Sequence, residues 1–138
     1  MAIDRRSVPE KAKETVELAI KKILSFSEKA RKEGLLSLSD SPDNEALKDR
    51  NNLFEYGMSL VIDGVDYSLI KEILCNIQGL KEPSYTQKLV DNVYIAGVLG
   101  IQCGHHPDML LRLLDSLVPE QSRSDWLKTE LTNKNLGI

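Results

Sequence analysis

Apolar residues recur at steps of three and four over the first thirty residues, and this spacing constrains the fold more than any other feature. The residues that carry the stripe are Val16, Ala19, Ile20, Ile23, Phe26 and Ala30. Such a stripe is typical of one buried face of an α-helix. Ser7 and Glu10 have the spacing of a helix-starting capping box, and Gly34 is a natural helix stop.

The rest of the chain continues in the same period. The spacing predicts a short helical turn over Leu35, Leu36 and Leu38. Three helices are predicted after it, at about 44–62, 67–77 and 84–103. A last short helix starts at Ser122 or Ser124 and runs through Trp126 to Leu131. No stretch alternates apolar and polar residues with the period of two that strands require. The sequence therefore predicts an all-α fold of five or six helices around one core.

The second half of the chain resembles the first. Shifting residues 56–74 by forty positions places Gly57 on Gly97, Gly64 on Gly104, Ile70 on Leu110 and Leu74 on Leu114. Both stretches have the pattern of a helix, a glycine-centred turn and a shorter helix, with Asp66 as a cap in the first copy. We interpret this as a duplicated helical hairpin, with copies at about 44–78 and 84–118, inside a single domain of residues 1–131. Residues 132–138 are expected to form a flexible tail.

Composition excludes several classes of protein. A chain of 138 residues with 41% apolar residues has the size and composition of one globular domain. A net charge of −3 gives no basic field for nucleic acid, although residues 1–34 are locally basic. Two cysteines do not make a disulfide framework, and neither a signal peptide nor a membrane span is visible. We expect a cytoplasmic, soluble protein.

Metal-capable residues cluster in one turn. Cys103, His105, His106 and Asp108 lie within six residues, but no second cluster supplies a further ligand. The competing interpretation is that His106 or Asp108 caps the following helix, that His105 is solvated, and that Cys103 is a small buried apolar residue. No nucleophile with an orienting base is evident either. We therefore expect a protein that is not an enzyme and has no cofactor, with a metal-binding protein as one alternative.

Two motifs carry a family resemblance. Residues 30–38, with the sequence Ala-Arg-Lys-Glu-Gly-Leu-Leu-Ser-Leu, resemble the cytoplasmic segment of the bacterial flagellar stator A subunit, the MotA/PomA family. Residues 56–66, Tyr-Gly-Met-Ser-Leu-Val-Ile-Asp-Gly-Val-Asp, resemble the helix–turn–helix that follows in that family. Together the motifs cover about residues 20–80. The four transmembrane helices of the family have no counterpart here, so the chain looks like a free-standing cytoplasmic domain.

The resemblance implies a role in protein interaction. In stators this region presents charged residues to the rotor switch protein FliG. The family arginine falls on Arg31, whereas its glutamate falls on Ser39, next to Asp40. The expected partner-binding residues are Arg31, Lys32, Glu33 and Asp40, and the expected partner is the rotor switch protein or a stator complex. The alternative is a helical adaptor, unrelated to motility, that self-associates through an exposed patch of Val90, Val93, Gly97 and Gly100.

Overall fold

The computed structural model describes residues 7–40 and 49–136, and the side chains of residues 12–38 and 49–136. The six α-helices are α1 (Ser7–Glu33), α2 (Leu53–Ile62), α3 (Tyr67–Gly79), α4 (Tyr85–Gln102), α5 (Pro107–Asp115) and α6 (Asp125–Asn133). Two 3-10 helices, Leu35–Asp40 and Glu120–Ser122, complete the described elements. No strand occurs in these ranges, so the all-α prediction is confirmed. No helix in the same ranges is long and apolar enough to cross a membrane.

Most helix boundaries follow the predicted signals. Gly34 ends α1 with a φ of +88°, which a residue with a side chain rarely adopts. The carboxylate of Asp66 accepts a hydrogen bond from the backbone N–H of Ser68 and caps α3. Ser124, one of the two predicted caps, accepts from the N–H of Leu127 at the start of α6. The Ser7–Glu10 capping box lies outside the described side chains.

The second helix begins later than predicted. It starts at Leu53 rather than near Asn44, and residues 49–52 form a turn in which Asp49 accepts the N–H of Asn51 at 2.9 Å. Asp and Asn side chains bond their own backbone and so compete with helix formation. Residues 44–48 lie outside the described part of the chain.

The last helix extends past the predicted domain boundary at residue 131. Helix α6 continues to Asn133, and Leu136 packs partly buried against the core. The flexibility of residues 132–138 stays a prediction.

Helices α1 and α2 both pack on α4 and run in the same direction as it does. Phe54 on α2 packs edge-on against Phe26 of α1, with ring centroids 5.0 Å apart, and against Tyr94 of α4 at 5.5 Å. Further along, Gly97 of α4 lies against Ile23 of α1, and Gly57 of α2 lies against Val98 of α4. Residue numbers rise together in two sets of contacts, Phe54 with Tyr94 and Gly57 with Val98 for α2 and α4, and Ile23 with Gly97 and Arg31 with Gly104 for α1 and α4. The C-terminal ends of the three helices therefore lie at the same end of the molecule.

The glycines of α4 pack inside the molecule. A Cβ on Gly97 would lie 2.6 Å from the Cδ1 of Ile23, and one on Gly100 would lie 2.5 Å from the Cδ1 of Leu110. Val90 and Val93 are buried as well. The exposed patch that self-association through these residues requires is therefore absent from α4, and the adaptor alternative loses its predicted surface.

The turns after α2 and α4 have the same local geometry. Gly64 and Gly104 take φ values of +79° and +74°. The next residue, Val65 or His105, donates its N–H to the carbonyl five residues back, on Leu60 or Gly100. This is the Schellman arrangement that satisfies the last carbonyls of a helix. The burial pattern repeats too, since the side chains at 70, 74, 110 and 114 are all fully buried. The duplication itself stays an interpretation.

Candidate protein-interaction site

The predicted site residues lie at the end of the molecule where α1, α2 and α4 terminate. The side-chain amide of Gln102 donates to the carbonyl of Val65 at 2.8 Å, which joins the two glycine turns. The guanidinium of Arg31 approaches the carbonyl of Gly104 at 3.5 Å, which brings the end of α1 to the second turn. We call this surface, residues 30–38, 62–66 and 102–108, the turn end.

Helix ends of both polarities meet at the turn end. The last carbonyls of α1, α2 and α4 each carry about half a negative charge, and the first N–H groups of α3 and α5, which begin at Tyr67 and Pro107, each carry about half a positive charge. A cation is favoured beside a carbonyl, and the guanidinium of Arg31 lies beside that of Gly104, just after the end of α4.

Three of the four predicted binding residues are exposed on the last turn of α1. Arg31, Lys32 and Glu33 all face solvent. None of them forms an ion pair with another residue of the described ranges, so their charges are open to a partner. Their role in binding stays a prediction. The side chain of Asp40, like that of Ser39, lies outside the described side chains.

An open cleft separates the end of α1 from the start of α5. Arg31 and Lys32 line one side, and His106, Asp108 and Lys134 line the other, around a volume of about 390 Å³. The Nζ of Lys134 lies 3.0 Å from an Oδ of Asp108, so the carboxylate on this side is already paired. The contribution of Lys134 was not predictable, because nothing in the sequence relates it to a residue twenty-six positions earlier.

The leucines after Gly34 divide between core and surface. Leu38 is 3% exposed and Leu35 is partly buried, whereas Leu36 is 71% exposed. A 3-10 helix has three residues per turn, so positions 35 and 38 share a face and position 36 cannot. Leu35 and Leu38 therefore pack toward the core, whereas the side chain of Leu36 faces solvent.

The turn with the histidines does not gather metal ligands. His106 caps α5, because its Nδ1 accepts the backbone N–H of Asp108 at 3.1 Å. His105 faces a different surface, a groove formed by α3, α4 and α5. No group of three potential ligands occurs among the described residues. The metal-binding alternative is therefore not supported.

Cys103 is exposed, which corrects the expectation of a buried residue. It is the C-cap of α4, where the helix has already turned away from the core. The last buried residues of α4 are Leu99, Gly100 and Ile101, so its buried part ends just before Cys103.

The turn after α2 holds two acidic residues, Asp63 and Asp66. Asp66 does cap α3, but Asp63 is exposed and lies next to Gly64. Gln102 holds this turn against the end of α4, so Asp63 and Asp66 lie beside α4. The turn end thus has a basic flank at α1 and an acidic flank at the first turn.

Comparison with known proteins gives one partial match. A stretch of 55 residues, 40% of this chain, is 47% identical to Motility protein A of Borreliella burgdorferi. The match spans only 20% of that protein's length. No protein-family model and no solved structure matches the chain. The local identity indicates a MotA-like relationship and hints at a role related to motility.

Proposed function

We propose that this chain is a protein-interaction module of the flagellar motor that works in the cytoplasm and docks on a charged partner through the turn end. The partner is the rotor switch protein or a stator complex, and the docking residues are Arg31, Lys32 and Glu33, with Asp40 beside them in sequence. The proposed activity is binding, without catalysis.

The observation that carries the proposal is the local match to Motility protein A, taken together with the exposure of the α1 end. Arg31 and Lys32 keep their charges without an ion pair in the described part of the chain. Unpaired charges of this kind steer association and fix orientation, and they act mainly through the association rate and its salt dependence.

The sharpest test is binding of the purified chain to the rotor switch protein of the same organism at low and high salt. Arg31→Glu reverses a charge whose only described contact is a 3.5 Å approach to a carbonyl. We expect it to weaken binding by about fivefold at low salt, which corresponds to an exposed charge contact. The melting temperature should fall only slightly, because the change removes a favourable cation from the last turn of α1. Raising the salt should weaken binding of the unaltered chain as well.

Arg50→Glu is the matched control. It makes the same change of charge at an exposed arginine just before the start of α2, outside the residues of the turn end. It should bind like the unaltered chain. Absence of binding at low salt, or equal loss in both variants, would contradict docking through the turn end.

A further inference from the structure

A second surface lies away from the basic flank, on the opposite face of α4 from α1. Helices α3 and α5 both lean on α4 but leave an open groove between them, which we call the α3–α5 groove. Its floor is the apolar face of α4, with Ile95, Ala96 and Leu99. Cys75 of α3 lies on one wall and Leu113 of α5 on the other.

The groove has the dimensions of a short helix. Its floor runs from Asn92 to Cys103, which is about 16 Å at the rise of an α-helix. A hydrogen bond from Gln78 to Asn92, 2.7 Å long, closes one end, and His105 lies at the other. The volume is about 300 Å³, small and open to solvent, so it suits apolar side chains inserted from a partner rather than an enclosed small molecule.

Several apolar side chains along the groove are partly exposed to solvent. Leu113 and Leu117 are each 37% exposed and Tyr67 is 41% exposed, although all three line the groove. Met109 on α5 is also exposed. Half-exposed apolar residues grouped beside a groove are typical of an interaction surface.

Charge indicates what kind of helix would fit. The chain as a whole carries a net charge of −3, yet Lys71 lies on the groove wall and no carboxylate is among the described residues that line it. Tyr67, Gln78, Asn92 and His105 add hydrogen-bond donors around the margin. A margin with one lysine, several hydrogen-bond donors and no carboxylate among its described residues complements a helix whose apolar stripe is flanked by acidic residues.

We propose that the α3–α5 groove binds an acidic amphipathic helix of a partner protein, about three turns long. The helix would place apolar anchors on Leu99, Leu113 and Leu117 and carboxylates toward Lys71. This interaction is separate from docking through Arg31 and does not rest on it.

The chain carries its own probes for this test. Its two cysteines, Cys75 and Cys103, are free and exposed, and both line the groove. We would add a synthetic helical peptide of about twelve residues with leucines at i, i+3 and i+7 and glutamates beside them, and measure alkylation of each thiol by iodoacetamide. At a peptide concentration ten times the Kd, both thiols should react about tenfold more slowly.

Two control peptides separate the contributions. A peptide with the same residues in scrambled order should not protect the thiols, and one with lysines in place of the glutamates should protect them only weakly. Protection by all three peptides alike, or by none at saturating concentration, would overturn the proposal.

Variants of the chain locate the binding. Leu117→Glu places a charge in the groove and should abolish peptide binding, whereas Leu80→Glu, at a leucine that is 71% exposed and outside the groove, should not. Lys71→Glu should reverse the preference between acidic and basic peptides. Arg31→Glu should leave peptide binding unchanged, which keeps this result distinct from that of the rotor experiment.

Sedimentation of the unaltered chain tests the competing occupant. A concentration-dependent dimer that Leu117→Glu abolishes would mean that a second copy of the chain fills the groove, and the proposal would be wrong. A monomer that binds the acidic peptide supports it.

Discussion

Gly97 shows how a single missing side chain sets the distance between two helices. A Cβ at this position would lie between 2.6 and 2.9 Å from three carbon atoms of Ile23, closer than side chains approach in folded proteins. Ile23 is fully buried, so its side chain cannot turn out into solvent to make room. The close approach of α1 and α4 therefore depends on this glycine.

Gly97→Ala should destabilise the fold by about 1–3 kcal/mol, because it overpacks a filled core. Urea denaturation measures the loss. Adding Ile23→Val removes the Cδ1 atom and should restore part of it. Gly79→Ala is the control, since nothing lies within 4 Å of its Cβ, and it should be neutral or stabilise by up to about 1 kcal/mol. Equal effects of the two alanines would contradict the packing argument.

The partly buried side chain of Tyr94 makes the stability of the fold depend on pH. Burial raises the pKa of its hydroxyl above the ordinary value of 10.0, and the nearby Asp91 carboxylate raises the pKa further. Asp91 is 1% exposed, and only one of its two oxygens has a hydrogen-bond partner, the side-chain amide of Gln87. The folded chain therefore holds the Tyr94 proton more tightly than the unfolded chain does.

The stability contributed by the raised Tyr94 pKa is fully present below pH 10. It is lost as the pH rises through the pKa that Tyr94 has in the folded chain. Tyr94→Phe should make the fall of unfolding free energy above pH 10 less steep. Asp91→Asn should do so partly, because burial remains. Chemical denaturation at several alkaline pH values measures both, with Tyr85→Phe at an exposed position as the control. A slope that none of these variants alters would contradict the assignment.

At the scale of elements, the two glycine turns are interchangeable in geometry. Each glycine has a positive φ, and no atom lies within 4 Å of a Cβ added there. A substitution at either position therefore strains the backbone alone, without a steric clash.

Gly64→Ala and Gly104→Ala should each cost about 1–2 kcal/mol, the penalty of a side chain in the left-handed region. Asparagine at either position should cost less, because it tolerates that region better. Urea midpoints of the four variants give the comparison. A cost at Gly104 that differs severalfold from that at Gly64 would show that the turns are not equivalent.

Local signals predicted the helices well and the long-range arrangement poorly. Gly34, Asp66 and Ser124 mark helix ends through bonds to their own neighbours, so the sequence contains the whole cause. The start of α2 was missed because helical spacing continues through residues whose side chains prefer turns. The ion pair between Lys134 and Asp108 forms only after folding, and no local sequence pattern predicts it.

The same contrast applies to the candidate site. Arg31, Lys32 and Glu33 were identified by a motif, and their exposure follows from their place on the last turn of α1. The sequence separated them from the histidine turn by seventy residues, and the parallel course of α1 and α4 brings the two together. The α3–α5 groove was missed because its floor has the apolar pattern of an ordinary buried helix face.

At the scale of the whole molecule, α4 is the element on which the others depend. Parallel helices α1 and α2 flank it, α3 and α5 pack on its remaining sides, and its residues from Val93 to Ile101 are largely buried. A helix with neighbours all around loses its hydrogen bonds only when those neighbours separate. The outer elements, the 3-10 helix Leu35–Asp40 and α6, have fewer neighbours.

Native-state hydrogen exchange should therefore rank the helices. Amides in the middle of α4 should exchange slowest, with an opening free energy equal to that of global unfolding and a full dependence on denaturant. Amides of α6 and of the 3-10 helix should exchange through local opening that denaturant barely affects. Slower exchange in α1 than in α4, or a denaturant-independent opening of α4, would contradict this arrangement.

The groove proposal adds one expectation, since a bound acidic helix should slow exchange further in α3 and α5, whose outer faces it covers.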